Sequence, residues 1–473
     1  MIFQKEDLVM EQSKKRRLNF GMAGVIWALA WPTMLEQLMQ TAVQYVDTAM
    51  VGSLGTQATA AVGATTTLNW LVGSTISAVG VGFLAFIAKA LGAGEKDSAK
   101  RAASQAVLSV LAVGIVVTVI TVGLSGQIPK WMQVDEGIRD LAGQYFLILY
   151  LPMLFRTAST IFGTVLRAAG DTKSPMKIGV VVNLVNVVLN FLLIYPTREL
   201  TVFSFTFTMW GADLGVIGAA VASAIAYIVG GILITIVLWR HPSVSPKGQS
   251  LKPDMKIIKP CLRVAMPNML QRFGTSLGYV AFASMINALG DVSTAAHTIA
   301  NTVESAFYIP GYGMQTAAAT LAGNAYGAND EKRLKELARM FFPIEIALMI
   351  FSGAALFFAT PALVSIFSDS EEVIRLGTTV LRMVAVSEPF FGFSIIMEGM
   401  MQGVGETKRP FVYNIVGMWL VRIVGTFICT SFFDLGLVAA WACMIAHNLF
   451  LFVLFLICYA KGRWNPFRKV RKA

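Results

Sequence analysis

Asp47 stands inside an apolar stretch, in Tyr45-Val46-Asp47-Thr48-Ala49-Met50, where an ionised side chain costs about 2.5–3.5 kcal/mol on insertion scales. A carboxylate kept at that cost can hold a proton or a small cation, or it can belong to a buried ion pair or cap a helix. Three amides form a second constellation, Asn183, Asn186 and Asn190, in Val182-Asn183-Leu184-Val185-Asn186-Val187-Val188-Leu189-Asn190. Spacings of three and four place them on one stripe of a helix. In hydrocarbon such a stripe must face protein, water or an ion. Glu36 precedes Asp47 by about three helical turns, so the two acids share a face but lie roughly 16 Å apart and cannot share one ion. Glu36 can pair with Arg156 or Arg272, or it can line a cavity, and both readings stay open. Further along, the charges inside apolar runs are Arg272, Glu304, Glu388, Glu398 and Arg422. A salt-bridged network, with Arg272 neutralising one of the glutamates, competes there with a role in binding.

These residues need a membrane around them to matter, and composition supplies it. The chain is 56% hydrophobic and 14% charged, with a mean hydropathy of +0.65, outside the range of soluble domains. Because about 20 apolar residues cross the hydrocarbon layer, the sequence predicts an all-α integral membrane protein of about twelve helices. They fall near 23–51, 57–88, 102–125, 138–168, 176–196, 214–239, 258–289, 292–325, 337–367, 374–403, 410–432 and 435–460. Several exceed the span length, so tilt or kinks are expected.

The chain also repeats itself. An offset of 235 residues carries Pro32 onto Pro267, Leu54-Gly55 onto Leu289-Gly290 and Thr59-Ala60-Ala61 onto Thr294-Ala295-Ala296. The same offset carries Gly170-Asp171-Thr172-Lys173-Ser174-Pro175 onto Gly405-Glu406-Thr407-Lys408-Arg409-Pro410. After Tyr195 the first half holds about fourteen extra residues before Asp213-Leu214-Gly215 matches Asp434-Leu435-Gly436. A duplication of this kind in a membrane protein points to transport. Six helices per repeat is an even number, so two six-helix lobes should be related by a pseudo-two-fold axis along the membrane normal. The polar constellations were not duplicated: Asp47 matches Phe282, and the three Asn residues match Met418, Val421 and Gly425.

Lys and Arg cluster on one side of the predicted spans, in 14–17, at Lys96, Lys100 and Arg101, at Lys173 and Lys177, and at Lys332, Arg333 and Lys335. Cytoplasmic loops carry such an excess. The expected order is therefore a cytoplasmic N-terminal segment 1–22, an N-lobe 23–239, a cytoplasmic linker 240–257, a C-lobe 258–460 and a basic cytoplasmic tail 461–473. This pattern also accounts for the net charge of +11 without nucleic-acid binding. Cys261, Cys429, Cys443 and Cys458 lie in or beside apolar helices without metal-ligand spacing, which makes them packing residues. Gly170-Asp171-Thr172-Lys173-Ser174 lacks the Gly-Lys pair of a phosphate loop and is a helix-ending turn. No nucleophile elbow is present, so the chain is not expected to be an enzyme or to carry a cofactor.

Several motifs carry a family resemblance: Pro32, Val46-Asp47-Thr48 with Gly52-x-x-Gly55, Ala295-Ala296-His297-x-Ile299-Ala300, Pro310-x-x-Gly313, Gly323-x-x-x-Gly327-Ala328 and Arg167-Ala168-Ala169-Gly170-Asp171-Thr172. Set in a six-plus-six duplication, they resemble the multidrug and toxic compound extrusion (MATE) transporters over roughly 20 to 460. The resemblance implies a V-shaped pair of lobes, alternating access, and export of amphipathic, mainly cationic compounds in exchange for inward H⁺ or Na⁺. A monomer in the inner membrane, with both termini cytoplasmic, is expected. That family builds a first-lobe cation site from an Asp on helix 1, an Asn and an Asp on helix 5 and a hydroxyl on helix 6. Residue by residue these carry over to Asp47, Asn186, Asn190 and Ser223, and Na⁺ coupling would use Asp47, Asn186 and Asn190. Asn190 departs from the Asp of many relatives and removes one carboxylate. Second-lobe acids of other relatives align with Thr275 and Phe391 here, which makes the chain more similar to the first-lobe-coupled (DinF-like) subgroup than to the NorM-like one. A lipid-linked oligosaccharide flippase of the same general architecture is the alternative. Its cavity would need several basic residues, for which Arg156, Arg272 and Arg422 are the candidates.

Overall fold

Every predicted span folds as helix, because a chain in hydrocarbon can satisfy its backbone N–H and C=O groups only within itself. The computed structural model describes residues 2–131, 134–202 and 205–470, the side chains of 2–20, 56, 60, 64–67, 200–202, 205–207 and 469–470 excepted. The basic residues of 14–17 and 469–472 therefore lie outside the described side chains. The helices are α1 (Ile2–Gly52), α2 (Thr56–Gly92), α3 (Lys96–Gly123), α4 (Ile128–Trp131), α5 (Glu136–Tyr150), α6 (Met153–Ala168), α7 (Lys173–Leu193) and α8 (Gly215–Arg240). They continue with α9 (Met255–Asn287), α10 (Asp291–Gly327), α11 (Glu331–Ser365), α12 (Glu371–Gly403), α13 (Lys408–Val416), α14 (Val424–Ser431), α15 (Leu437–Ala460) and α16 (Pro466–Val470).

Three departures from the expected pattern have local causes. The span expected over 138–168 is α5 and α6, bent by 48° at Leu151-Pro152, since proline cannot donate to the ladder and crowds the preceding turn. The span over 410–432 is α13 and α14 joined by a π-helical segment, Gly417–Ile423. The extra residues after Tyr195 form an antiparallel hairpin, β1 (Pro196–Val202) with β2 (Phe205–Ala212), so the fold is all-α apart from this insertion. Among the described residues, eight helices are long and apolar enough to cross a membrane, or nine with the bent pair counted once. The other three expected spans, α1, α9 and α10, are helices of 51, 33 and 37 residues whose polar residues lower their hydropathy.

The duplication is visible in the backbone. Gly55 (φ 111°) and Gly290 (φ 99°) turn the chain into α2 and α10, and Gly170 (φ 84°) and Gly405 (φ 79°) end the corresponding later helices. Asp213 and Asp434 share the same left-handed conformation, with φ of 52° and 50°.

The chain divides into two compact units, 36–281 with 405–416, and 1–35 with 282–404 and 417–473. The cuts fall inside α1 and α9 and around α13, so relative to the expected lobes the segments 23–35, 258–281 and 405–416 belong to the opposite units. The second unit has a core of Ile286, Ala300, Leu356, Val380, Val384, Trp441 and neighbours from α9, α10, α11, α12 and α15. Its helices approach closely where one side is glycine. A Cβ at Gly403 on α12 would lie 2.0 Å from the Ala319 carbonyl oxygen on α10. Gly403→Val is accordingly expected to destabilise the protein by about 1–3 kcal/mol through overpacking. Gly24→Ala, where nothing stands within 4 Å, should be neutral or slightly stabilising. Thermal unfolding in detergent reads both, and an unchanged transition for Gly403→Val would contradict this packing.

Candidate functional site

In the first unit α1, α7 and α8 bring four polar side chains together. Asp47 projects from the C-terminal part of α1, and the Asn190 amide on α7 donates to its Oδ1 at 2.5 Å. Asn186, one turn earlier on α7, completes the contact when its amide nitrogen faces the carboxylate: Nδ2 then donates to Asp47 Oδ1 at 2.8 Å and Oδ1 accepts from the Ser223 hydroxyl at 3.1 Å. This orientation satisfies both ends of the amide and is an assignment from the hydrogen-bond network. Asn186 and Asn190 are buried, at 6% and 1% exposure, while Asp47 and Ser223 keep some accessible surface. Asn190 Oδ1 is buried with no partner among the described residues.

This arrangement has a definite chemistry. One carboxylate is held by two amide donors, and charge-assisted bonds of this kind are the strong ones. A proton can neutralise the carboxylate directly. The carboxylate and amide oxygens with a hydroxyl form an all-oxygen donor set, which suits a hard cation and not a soft one. Among the described residues no cluster of three His, Cys, Asp or Glu offers a transition-metal site.

The remaining candidates are dispersed. Asn183 shares the stripe but is not drawn into the cluster, and its buried Nδ2 has no partner among the described residues. Glu36 pairs with neither Arg156 nor Arg272: Arg167 Nη2 on α6 bridges both of its oxygens at 2.6 and 2.7 Å. Helix rotation and depth decide this, since Arg167 lies three turns beyond Arg156 on the same helix. Arg272 pairs with no glutamate among the described residues, and its Nε donates to Asn268 Oδ1 at 3.0 Å, one turn away. Glu398 accepts from Gln402 Nε2 at 3.0 Å.

Glu304 and Glu388 lie buried in the second unit at 7% and 1% exposure. Arg422, on the π-helical segment, acts electrostatically on Glu304 and lies 5.3 Å over the Phe282 ring. The sequence reading missed Glu345 on α11, which is fully buried with both oxygens lacking a hydrogen-bond partner among the described residues and acts on Glu388. Its signal was available, because it is a single acid in the apolar run Phe341-Phe342-Pro343-Ile344-Glu345-Ile346.

An internally duplicated set of membrane helices, with a carboxylate and amide constellation inside a span, defines a multi-pass membrane transporter. The MatE family profile matches residues 32–192 and 267–428, and the chain belongs to that family. Its members are transporters and not enzymes. The chain is 26% identical over 437 residues to a probable multidrug resistance protein NorM of Thermotoga maritima, covering 92% of each chain. It is 26% identical over 415 residues to a probable multidrug resistance protein YoeA of Bacillus subtilis, covering 87% of each. A MOP superfamily transporter from Pyrococcus furiosus, described as having a binding pocket of reversed polarity, superposes with a TM-score of 0.85. That comparison covers 94% of this chain and 96% of the other at 23% identity, a likeness of fold.

Proposed function

We propose that the protein is a secondary active multidrug exporter that extrudes amphipathic, mainly cationic compounds in exchange for inward H⁺ or Na⁺, with Asp47 as the coupling carboxylate. The observation that carries this reading is the convergence of Asn190 and Asn186 of α7 on Asp47 of α1, with Ser223 of α8 bonded to Asn186 behind them. Cation or proton arrival removes the negative charge that the amides stabilise. The Asp47 contact between α1 and α7 then loosens, α1 rearranges and the substrate leaves before the transporter resets. Pro32 lies within α1, at a position where its missing donor makes bending easier. One charge moving down 100 mV supplies about 2.3 kcal/mol, enough for a modest substrate gradient.

The same reading takes 23–239 and 258–460 as lobes joined by the cytoplasmic linker 240–257. It places a monomer in the inner membrane with both termini cytoplasmic, supported by the Lys and Arg distribution. It also sets the chain nearer the first-lobe-coupled subgroup, supported by Thr275 and Phe391 at the second-lobe acid positions.

Efflux of a fluorescent organic cation from proteoliposomes tests the proposal. One of two imposed gradients, Na⁺ at fixed pH or pH without Na⁺, is expected to accelerate efflux by the wild type. Efflux indifferent to both would remove the antiporter reading and favour the flippase alternative.

A further inference from the structure

Two of the four cysteines, placed by sequence spacing among the packing residues, meet in the fold. Cys429 on α14 and Cys443 on α15 bring their Sγ atoms to 3.8 Å, and both are free thiols. The backbone holds them there. Leu435 N, in the short connection between the two helices, donates to the Cys429 carbonyl at 2.9 Å, which fixes the end of α14 against the start of α15. One turn before Cys429 stands Gly425, where a Cβ would meet Cys443 Sγ at 3.3 Å and its Cβ at 3.7 Å. The missing side chain leaves the room in which that sulfur sits. Cys261 and Cys458 are buried at 4% and 1% exposure, whereas Cys429 and Cys443 are half-buried. The pair belongs to the second repeat alone. The offset of 235 carries Ile194 onto Cys429, and the offset of 221 that relates Asp213 to Asp434 carries Ala222 onto Cys443.

We propose that Cys429 and Cys443 are a redox modification site, at which a small-molecule disulfide oxidises the two thiols to a cross-link between α14 and α15. A disulfide bond is about 2.05 Å long, and side-chain rotation can cross the remaining gap between the sulfurs. The thiolate of one cysteine attacks a sulfur of the oxidant, forming a mixed disulfide and expelling one thiolate. The second cysteine then attacks the protein sulfur of that mixed disulfide, forming the Cys429–Cys443 bond and expelling the other thiolate. Two protein thiols lose two electrons, the oxidant gains them, and the two thiol protons pass to the two leaving thiolates. Among the described residues no third His, Cys, Asp or Glu joins the pair, so its chemistry is oxidation and not transition-metal binding. The inference goes beyond the exporter reading and shares only its orientation, which puts the connection 432–436 on the outer face, where disulfides form and persist.

The test treats the purified full chain in detergent micelles with the aromatic disulfide dithiodipyridine, blocks the remaining thiols with N-ethylmaleimide under denaturing conditions, and maps every cysteine by mass spectrometry. Cys429 and Cys443 are expected in one cross-linked pair of peptides, formed at least about tenfold faster than the buried Cys261 and Cys458 react. Dithiothreitol should return both to maleimide labelling. Cys443→Ser should retain a pyridine adduct on Cys429, because the resolving thiol is gone. The wild-type map needs no variant, so it decides the matter even where Cys443→Ser fails to fold. Separate pyridine adducts on Cys429 and Cys443, both thiols still open to maleimide, or a pair no faster than Cys261 and Cys458 overturns the proposal. So does cross-linking that appears only after unfolding in dodecyl sulfate. Because the chemistry is read without a gradient, failure of the exporter reading shows separately, as cross-linking by wild type with no gradient-driven efflux.

Discussion

Asp47→Asn is expected to lower gradient-driven efflux by at least about 100-fold, equivalent to about 2.7 kcal/mol of lost driving interaction, with folded protein at the wild-type level. The asparagine is nearly isosteric and can still accept from Asn190, which at present donates to Asp47 Oδ1, so the contact between α1 and α7 survives. What disappears is the titratable, cation-binding charge, and with it the only carboxylate in the cluster. Substrate binding at equilibrium should persist while its response to the coupling ion is lost. Asn190→Ala is expected to be milder, about 10- to 30-fold, at the lower end of the about 1.5–3 kcal/mol that a hydrogen bond to a charged group contributes, because Asn186 still donates to the carboxylate. Initial rates under the gradient that drives the wild type decide the matter. Wild-type efflux by Asp47→Asn would assign coupling elsewhere, with Glu304, Glu345 and Glu388 next in line.

The second large effect concerns stability. Glu36 is 8% exposed and the Arg167 side chain 19%, so taking away one partner strands the other where water cannot fully solvate it. Breaking such a pair costs about 3–5 kcal/mol, and Glu36→Leu should lower the unfolding temperature sharply or prevent accumulation in the membrane. Glu36→Leu with Arg167→Met should recover much of that loss, since replacing both charges by apolar groups is often close to neutral. A double-mutant cycle on thermal unfolding reads the coupling. Additive losses would mean that the two residues act independently, and that the close contact seen here adds little.

The cluster around Asp47 was legible only in parts. Asp47 announces itself as a charge in an apolar run, and the spacing of Asn186 and Asn190 is enough to place them on one helix face. Ser223 has no such mark, because hydroxyls are common in these helices and bond their own backbone, as Thr41 does to the Gln37 carbonyl at 3.1 Å. The resemblance supplied it, and the fold set it beside Asn186. Asn183 shows the converse: periodicity put it on the stripe, yet the side chain is not recruited, since a shared face says nothing about which level of the helix a neighbour reaches.

Sequence alone determined that this is a duplicated, multi-pass helical membrane protein, where most helices begin and end, and which residues carry charge into the hydrocarbon. Those properties are local: hydropathy is summed within a span, and the left-handed residues at Gly55, Gly290, Asp213 and Asp434 are dictated by their own turns. Only the tertiary structure decided who pairs with whom. Glu36 took Arg167 and left Arg156 to the Asn69 amide and the Tyr227 ring, Arg272 turned to Asn268, and Asn190 met Asp47 across 143 residues of chain. Partner choice depends on the relative rotation and depth of separate helices. These follow from close packing at glycines such as Gly231, where a Cβ would meet Phe155 at 2.7 Å, and no pattern within one helix records them.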